Sequence, residues 1–265
     1  MKAVVFGDGV LTNSIHISYA ALVEIFNEHS LNYDREERFN LILDTPRDEL
    51  KETIKTDYEA QRGFELPDEF FSAAKGLYHD MMKNHLQKTK GIEILLDRLK
   101  AAGIPFMIAS NDTHDMTAKH LIDLDLYDYF TDEDGTDRII ASGDSRIRPK
   151  PEVHMYNAAA KQLGVDPSEC LIIEANPLGV RGASKSGGYV IGYTEHHYEL
   201  PGGGHVLFER GASELVKNPT ELTQRIFRQF AMPIPRVTPE ELANAPEHPE
   251  TSSPLITPPG SKPAP

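Results

Sequence analysis

The stretch KPEVHMYNAAAKQLGVDPSECLIIE, Lys150 to Glu174, decides the fold. It opens with Pro151, which suits a first helical turn because no N–H is needed there. It keeps helical periodicity to Leu163 and ends in the short apolar run CLIIEA, residues 170–175. A helix-period segment that delivers a short apolar run is half of a βαβ unit, the building block of a parallel sheet.

The same alternation extends in both directions. Apolar runs stand at AVVF (3–6), PFMIAS (105–110), RIIAS (138–142) and YVIGYT (189–194), and helices are expected over Ile92–Ala102, Asp112–Leu124 and Pro177–Ser186. Pro177, like Pro151, fits a first turn. Between the first two runs the pattern changes, because Ser14 to Leu86 is helical in period with no convincing strand. Thr45-Pro46-Arg47-Asp48 reads as an N-cap, an N1 proline and an acidic first turn, and Pro67-Asp68-Glu69 opens a further helix through Phe70, Leu77 and Met81. Residues 14–86 therefore read as an all-helical cap inserted into an α/β core of residues 1–13 and 87–232.

The last 33 residues, Pro233 to Pro265, carry 10 of the 19 prolines, so disorder is expected there, with a docking peptide for a protein partner as the sharper alternative. The net charge of −14, from 41 acids against 27 bases, argues against nucleic acid as a partner and against an anionic membrane surface. No run approaches the ~18 apolar residues of a spanning helix. Cys170 is the single cysteine and sits in an apolar run, so no internal disulfide can form and an inert buried thiol is expected. A cytoplasmic location is the expectation.

In open parallel sheets ligands gather at the carboxyl ends of the strands. The residues there are Gly7-Asp8-Gly9, Ser110-Asn111, Arg148-Pro149-Lys150-Pro151 and Glu174-Ala175-Asn176. In their order and spacing these resemble the four motifs of the haloacid dehalogenase (HAD) superfamily, and within it the helical-cap branch of β-phosphoglucomutase and phosphoglycolate phosphatase. The resemblance runs from Met1 to about Tyr193. It implies a Rossmann-like parallel sheet with helices on both faces and chemistry on a small phosphorylated metabolite. A strand-end Asp attacks phosphorus, a second Asp two residues later is the general acid and base, and Mg²⁺ screens the anion.

Position by position, the resemblance makes Asp8 the second, catalytic Asp and a metal ligand. It makes Ser110 and Asn111 substrate-binding, Lys150 catalytic and phosphate-binding, and Glu174 a metal ligand. Two positions depart from the pattern. The family writes Phe-Asp-x-Asp-Gly-Val where this chain has Phe6-Gly7-Asp8-Gly9-Val10, so one residue and the nucleophile are missing; Ala175 replaces the second acid of the fourth motif. Both losses fall on the Mg²⁺ site, so weak or absent metal binding is expected.

Two functions stay open: an active Mg²⁺-dependent phosphomonoester hydrolase or phosphosugar mutase using Asp8, and a pseudoenzyme that binds a phosphorylated ligand with catalysis weak or lost, which is favoured. Each residue also has a structural alternative. Asp8 could cap the Asn13-Ser14 helix start, Ser110 could cap a strand end, and Lys150 and Glu174 could simply pair, since a lone buried acid is costly. Asp132–Asp137 reads as a solvated turn rather than a calcium loop, and His196-His197 as a surface loop. Arg47 matches only loosely the region where relatives contact substrate.

Overall fold

The computed structural model describes every residue except 30, 32–41, 43–44, 47, 143–146, 196–203 and 246–265. Six parallel strands, β1 (Ala3–Phe6), β2 (Phe106–Ser110), β3 (Ile139–Ala141), β4 (Cys170–Glu174), β5 (Tyr189–Tyr193) and β6 (Glu214–Val216), form one sheet in the order β3-β2-β1-β4-β5-β6. The apolar runs become strands because both faces of the sheet are covered. Val4 and Phe6 join one buried cluster with Ile108 and Ile173, while Ala3 and Val5 join another with Met107 and Ile172.

Ten α-helices have described bounds: α1 (Ser14–Glu28), α2 (Leu50–Arg62), α3 (Phe70–His85), α4 (Ile92–Ala101), α5 (His114–Asp123), α6 (His154–Leu163), α7 (Pro177–Lys185), α8 (His205–Glu209), α9 (Pro219–Gln229) and α10 (Pro239–Asn244). Between Ser14 and Leu86 the described residues contain no strand. α1, α2 and α3 share a separate apolar cluster built on Ile25, Phe26, Ile54, Tyr58 and Phe70, with the rings of Phe26 and Phe70 stacked at 6.1 Å. The chain leaves the sheet at Asn13 and returns at Gln87. Those two crossings are tied: Gln87 N–H donates to Asn13 Oδ1 (2.8 Å) and Asn13 Nδ2 donates to the His85 carbonyl (3.0 Å).

Several expected boundaries move. Pro151 is not in a helix: Glu152 N–H closes a turn on the Pro149 carbonyl (3.0 Å), the Lys150–Pro151 peptide is cis, and α6 begins only at His154. α2 begins at Leu50 rather than at a Thr45 cap, because Pro46 to Glu49 is used as a turn, Glu49 N–H to the Pro46 carbonyl at 3.0 Å. β6, α8 and α9 lie beyond the expected elements, although Asn218 caps α9 through Glu221 N–H (2.9 Å) with Pro219 as its first residue.

Of the segment from Pro233 onward, residues 233–245 are described. Thr238 and Glu241 form a reciprocal capping box that starts α10, and Glu241 pairs with Arg98 of α4 at 2.5 Å. The rest of the tail lies outside the described residues, as do Arg47, His196 and His197. Asp132–Asp137 is a turn, with Gly135 N–H on the Asp132 carbonyl at 2.9 Å and Gly135 at φ +82°.

Candidate functional site

β1 lies at the centre of the sheet, with β2 on one side and β4 on the other, so chain connections diverge there and open a crevice at its carboxyl end. Phe6 is level with Ile108 of β2 and Ile173 of β4. That register brings Asp8, Ser110 and Glu174 to the same edge. Gly9 turns the loop back at φ +77°, and a Cβ there would lie 2.6 Å from Ile15 Cγ2, so only glycine fits both the backbone and the space.

All five residues singled out from the sequence meet at this edge. Asp8 Oδ1 accepts from Ser110 Oγ (2.6 Å), and Asp8 Oδ2 accepts from Asn111 N–H (3.1 Å) and Lys150 Nζ (2.8 Å). Asn111 Oδ1 accepts from Lys150 N–H (2.8 Å), which seats the lysine backbone before its turn. Lys150 Nζ also donates to Glu174 Oε1 (2.6 Å) and to the Ala109 carbonyl (2.8 Å). The Lys150–Glu174 pairing considered from sequence is therefore present, with Asp8 as a second counter-ion. Asp8 makes no bond to the start of α1, so the helix-cap alternative is not realised; Ser110 Oγ also accepts Asp112 N–H (3.1 Å), so it does cap its strand end.

Tyr156 completes the network and was not among the expected site residues. Its hydroxyl donates toward Glu174 Oε1 (2.7 Å) and lies 2.8 Å from the Gly179 carbonyl. Its signal in the sequence is slight: one hydroxyl-bearing ring on the otherwise apolar face of α6, beside Met155, Ala159 and Ala160. Gly179 was also missed, and its role follows from space, since a Cβ there would lie 2.3 Å from Glu174 Oε2.

Burial divides the network. The side chains of Lys150 and Glu174 are 0% exposed, and that of Asp8 is 17% exposed. Burial pushes the Glu174 carboxyl up to about 7, opposed by the Lys150 ammonium beside it. For Lys150 burial works against the charge, but Asp8 and Glu174 outweigh it and hold the ammonium above its ordinary value. Burial and Glu174 raise the Tyr156 hydroxyl well above the usual range, so it stays a proton donor.

Gly7 explains why Glu174 can sit where it does. A Cβ on Gly7 would stand 1.9 Å from Glu174 Cδ and Oε1, so the carboxylate of Glu174 fills the volume in which a side chain at position 7 would begin. Asp8 is the acid that reaches open space. A cavity of about 220 Å³ between the sheet edge and the cap is lined by Asp8, Tyr19, Leu50, Tyr78, Asn111 and Asn176, among others. A smaller one of about 50 Å³ lies between Asp8, Ser110, Thr117 and His120. Burial, with the Lys119 ammonium nearby, holds His120 below its ordinary pKa.

The residues present do not suit Mg²⁺, which takes hard oxygen ligands in near-octahedral geometry and keeps several waters. Both oxygens of Asp8 are engaged, Glu174 is closed off from water and bonded to Lys150 and Tyr156, and Ala175 brings no oxygen from its side chain. Among the described residues no group of three or more His, Cys, Asp and Glu side chains is placed to hold a metal ion.

The haloacid dehalogenase-like hydrolase family model matches residues 7–193, and the chain belongs to that family. The chain is similar to the phosphatase candidate YhcW of Bacillus subtilis, 28% identical over 193 residues that span 71% of this chain and 80% of that protein. Its fold matches a haloacid dehalogenase-like protein of Agrobacterium tumefaciens with TM-score 0.72 at 22% identity, covering 87% of this chain and 99% of the other. It also matches a HAD-family hydrolase of Deinococcus radiodurans, solved with phosphate and sodium bound, with TM-score 0.70 at 23% identity over 88% and 97% of the two chains. A β-phosphoglucomutase and a phosphoglycolate phosphatase are among the further matches. No helix among the described residues is long and apolar enough to cross a membrane.

Proposed function

We propose that this protein is a HAD-family phosphatase or phosphoglucomutase relative that holds a small phosphorylated metabolite between the sheet edge and the helical cap, with catalysis weak or lost. The observation that carries this reading is at Gly7. The strand end between Phe6 and Asp8, where the resemblance puts the nucleophile, offers only the backbone of Gly7, and the space beside it is filled by Glu174. An aspartyl-phosphate cannot form on a glycine, and the carboxylate that fills the gap is fully buried.

Asp8, Ser110, Asn111 and Lys150 supply the polar end of the cavity. Ser110 Oγ and Asn111 N–H are the donors that a phosphoryl oxygen would share with Asp8, and Lys150 lends positive charge from behind it. The phosphate bound in the Deinococcus radiodurans hydrolase and the phosphatases among the relatives support the ligand class. The cap residues Tyr19, Leu50 and Tyr78 would meet the rest of the metabolite.

One observation favours the alternative of an active enzyme. Asp8 is the network's only partly exposed carboxylate, and it faces the cavity while held by Ser110, Asn111 and Lys150. Calorimetric titration with orthophosphate and a panel of sugar phosphates tests the binding reading. Ser110→Ala should weaken the best ligand about tenfold, near 1.4 kcal/mol; equal affinity in both proteins, or no binding of any phosphate by the unaltered chain, contradicts it.

A further inference from the structure

The ammonium of Lys150 lies between the two acids that the resemblance assigns to a divalent cation. Its three protons meet three oxygens, Asp8 Oδ2 (2.8 Å), Ala109 O (2.8 Å) and Glu174 Oε1 (2.6 Å), so its donor capacity is filled. The ring of Tyr156 lies beneath it, 5.8 Å from Nζ to the centroid, and the side chain is closed off from solvent. The two acids bridged in this way are the two that the resemblance assigns to Mg²⁺. We propose that Lys150 is the resident cation of this site: its ammonium bridges Asp8 and Glu174 in place of a divalent metal, and the protein takes no Mg²⁺ there.

Charge and geometry both lead to this arrangement. Asp8 Oδ2 and Glu174 Oε1, the oxygens that a shared divalent ion would take, are both already bonded to the ammonium. Magnesium also needs room for several waters. Glu174 is walled in by Gly7 on one side and Gly179 on the other, where added Cβ atoms would come within 1.9 Å and 2.3 Å of it. The loss of one acid at Ala175 then carries no electrostatic penalty, because one ammonium balances one buried carboxylate and shares a second. The inference deepens the proposed function and rests on its placing of the family's site at Asp8 and Glu174, the two residues that the resemblance assigns to the metal.

Removing the ammonium should turn the site into a metal site, since it leaves two carboxylates and a carbonyl facing one void, an all-oxygen set suited to Mg²⁺ or Mn²⁺. The experiment is thermal unfolding of the full chain in MgCl₂, MnCl₂ or EDTA, with calorimetric titration of each metal. The unaltered protein should melt at the same temperature in all three and give no heat of binding. Lys150→Ala should melt lower in EDTA and recover part of the loss in either metal, with at least tenfold higher metal affinity than the unaltered protein. Lys150→Met, which keeps the volume of the stem, refolded with and without MgCl₂, serves where the Ala variant does not fold. A metal-dependent rise in the unaltered protein that Asp8→Asn abolishes overturns the inference, and so does a folded Lys150 variant indifferent to both metals. Ordinary turnover that is itself indifferent to Mg²⁺ would overturn the proposed function and leave this inference standing.

Discussion

Adding one methyl group to Gly7 should cost as much as breaking a buried ion pair. The Cβ of Gly7→Ala would fall 1.9 Å from Glu174 Cδ and Oε1, well inside van der Waals contact. The end of a glutamate can usually swing aside, but here Gly179 closes the opposite wall, with its own Cβ position 2.3 Å from Glu174 Oε2. The carboxylate must then leave Lys150 (2.6 Å) and Tyr156 (2.7 Å). Simple overpacking costs about 1–3 kcal/mol, whereas breaking a buried pair costs about 3–5 kcal/mol, and the second effect decides because both walls are rigid backbone. Urea unfolding above pH 7, where Glu174 is ionised, followed by circular dichroism measures the loss. Glu174→Ala should cost a similar amount, and the double variant Gly7→Ala/Glu174→Ala should be no worse than the poorer single one, a coupling of about 2 kcal/mol or more. A Gly7→Ala protein within ~0.5 kcal/mol of the unaltered one, or strict additivity of the two changes, would refute the packing of Glu174 against Gly7.

The raised carboxyl of Glu174 sets a pH dependence of definite sign. Its folded value of about 7 exceeds the ordinary carboxylate value, so the native state binds the extra proton and stability falls as pH rises from roughly 4.5 to 7. The contribution is of order 3 kcal/mol; relative to the unaltered chain, Glu174→Gln should flatten the slope of unfolding free energy across that window, and an unchanged slope would rule Glu174 out as its source. Burial pushes the Cys170 thiol up to about 11, so iodoacetamide at pH 8 should alkylate the native protein far more slowly than the urea-unfolded one; equal rates would show an accessible thiolate.

Much of this arrangement is legible in residue order because strands buried on both faces are continuous apolar runs, and Cys170–Glu174 and Phe106–Ser110 could be read directly. The five site residues are legible for a related reason: each stands at the end of such a strand, one or two places beyond it, or in the Pro149–Pro151 turn, and the register of β1 against β2 and β4 brings them together. Tyr156 and Gly179 were hidden. A tyrosine on an apolar helix face looks like core, and the need for glycine at 179 arises only from a carboxylate that packs against it from another strand. β6 is three residues long, too short to carry a period. The order of α10 comes from a capping box and an Arg98 partner over a hundred residues away, signals that a proline-rich composition obscures. Pro151 suggested a helix start by itself, but the Pro149–Glu152 turn and the Asn111 bond to Lys150 take that backbone first.

The most direct test of the central claim is phosphate release from a panel of sugar phosphates, with and without Mg²⁺, using Asp8→Asn as the control for contaminating phosphatase. With no carboxylate at position 7 and a metal site closed by Lys150, the loss of even about 4 kcal/mol of transition-state stabilisation slows the reaction roughly a thousandfold. Turnover is therefore expected at least a thousandfold below a typical enzyme's ~10 per second, with little response to Mg²⁺. Ordinary Mg²⁺-dependent turnover that disappears in Asp8→Asn would contradict the account and make Asp8 the nucleophile.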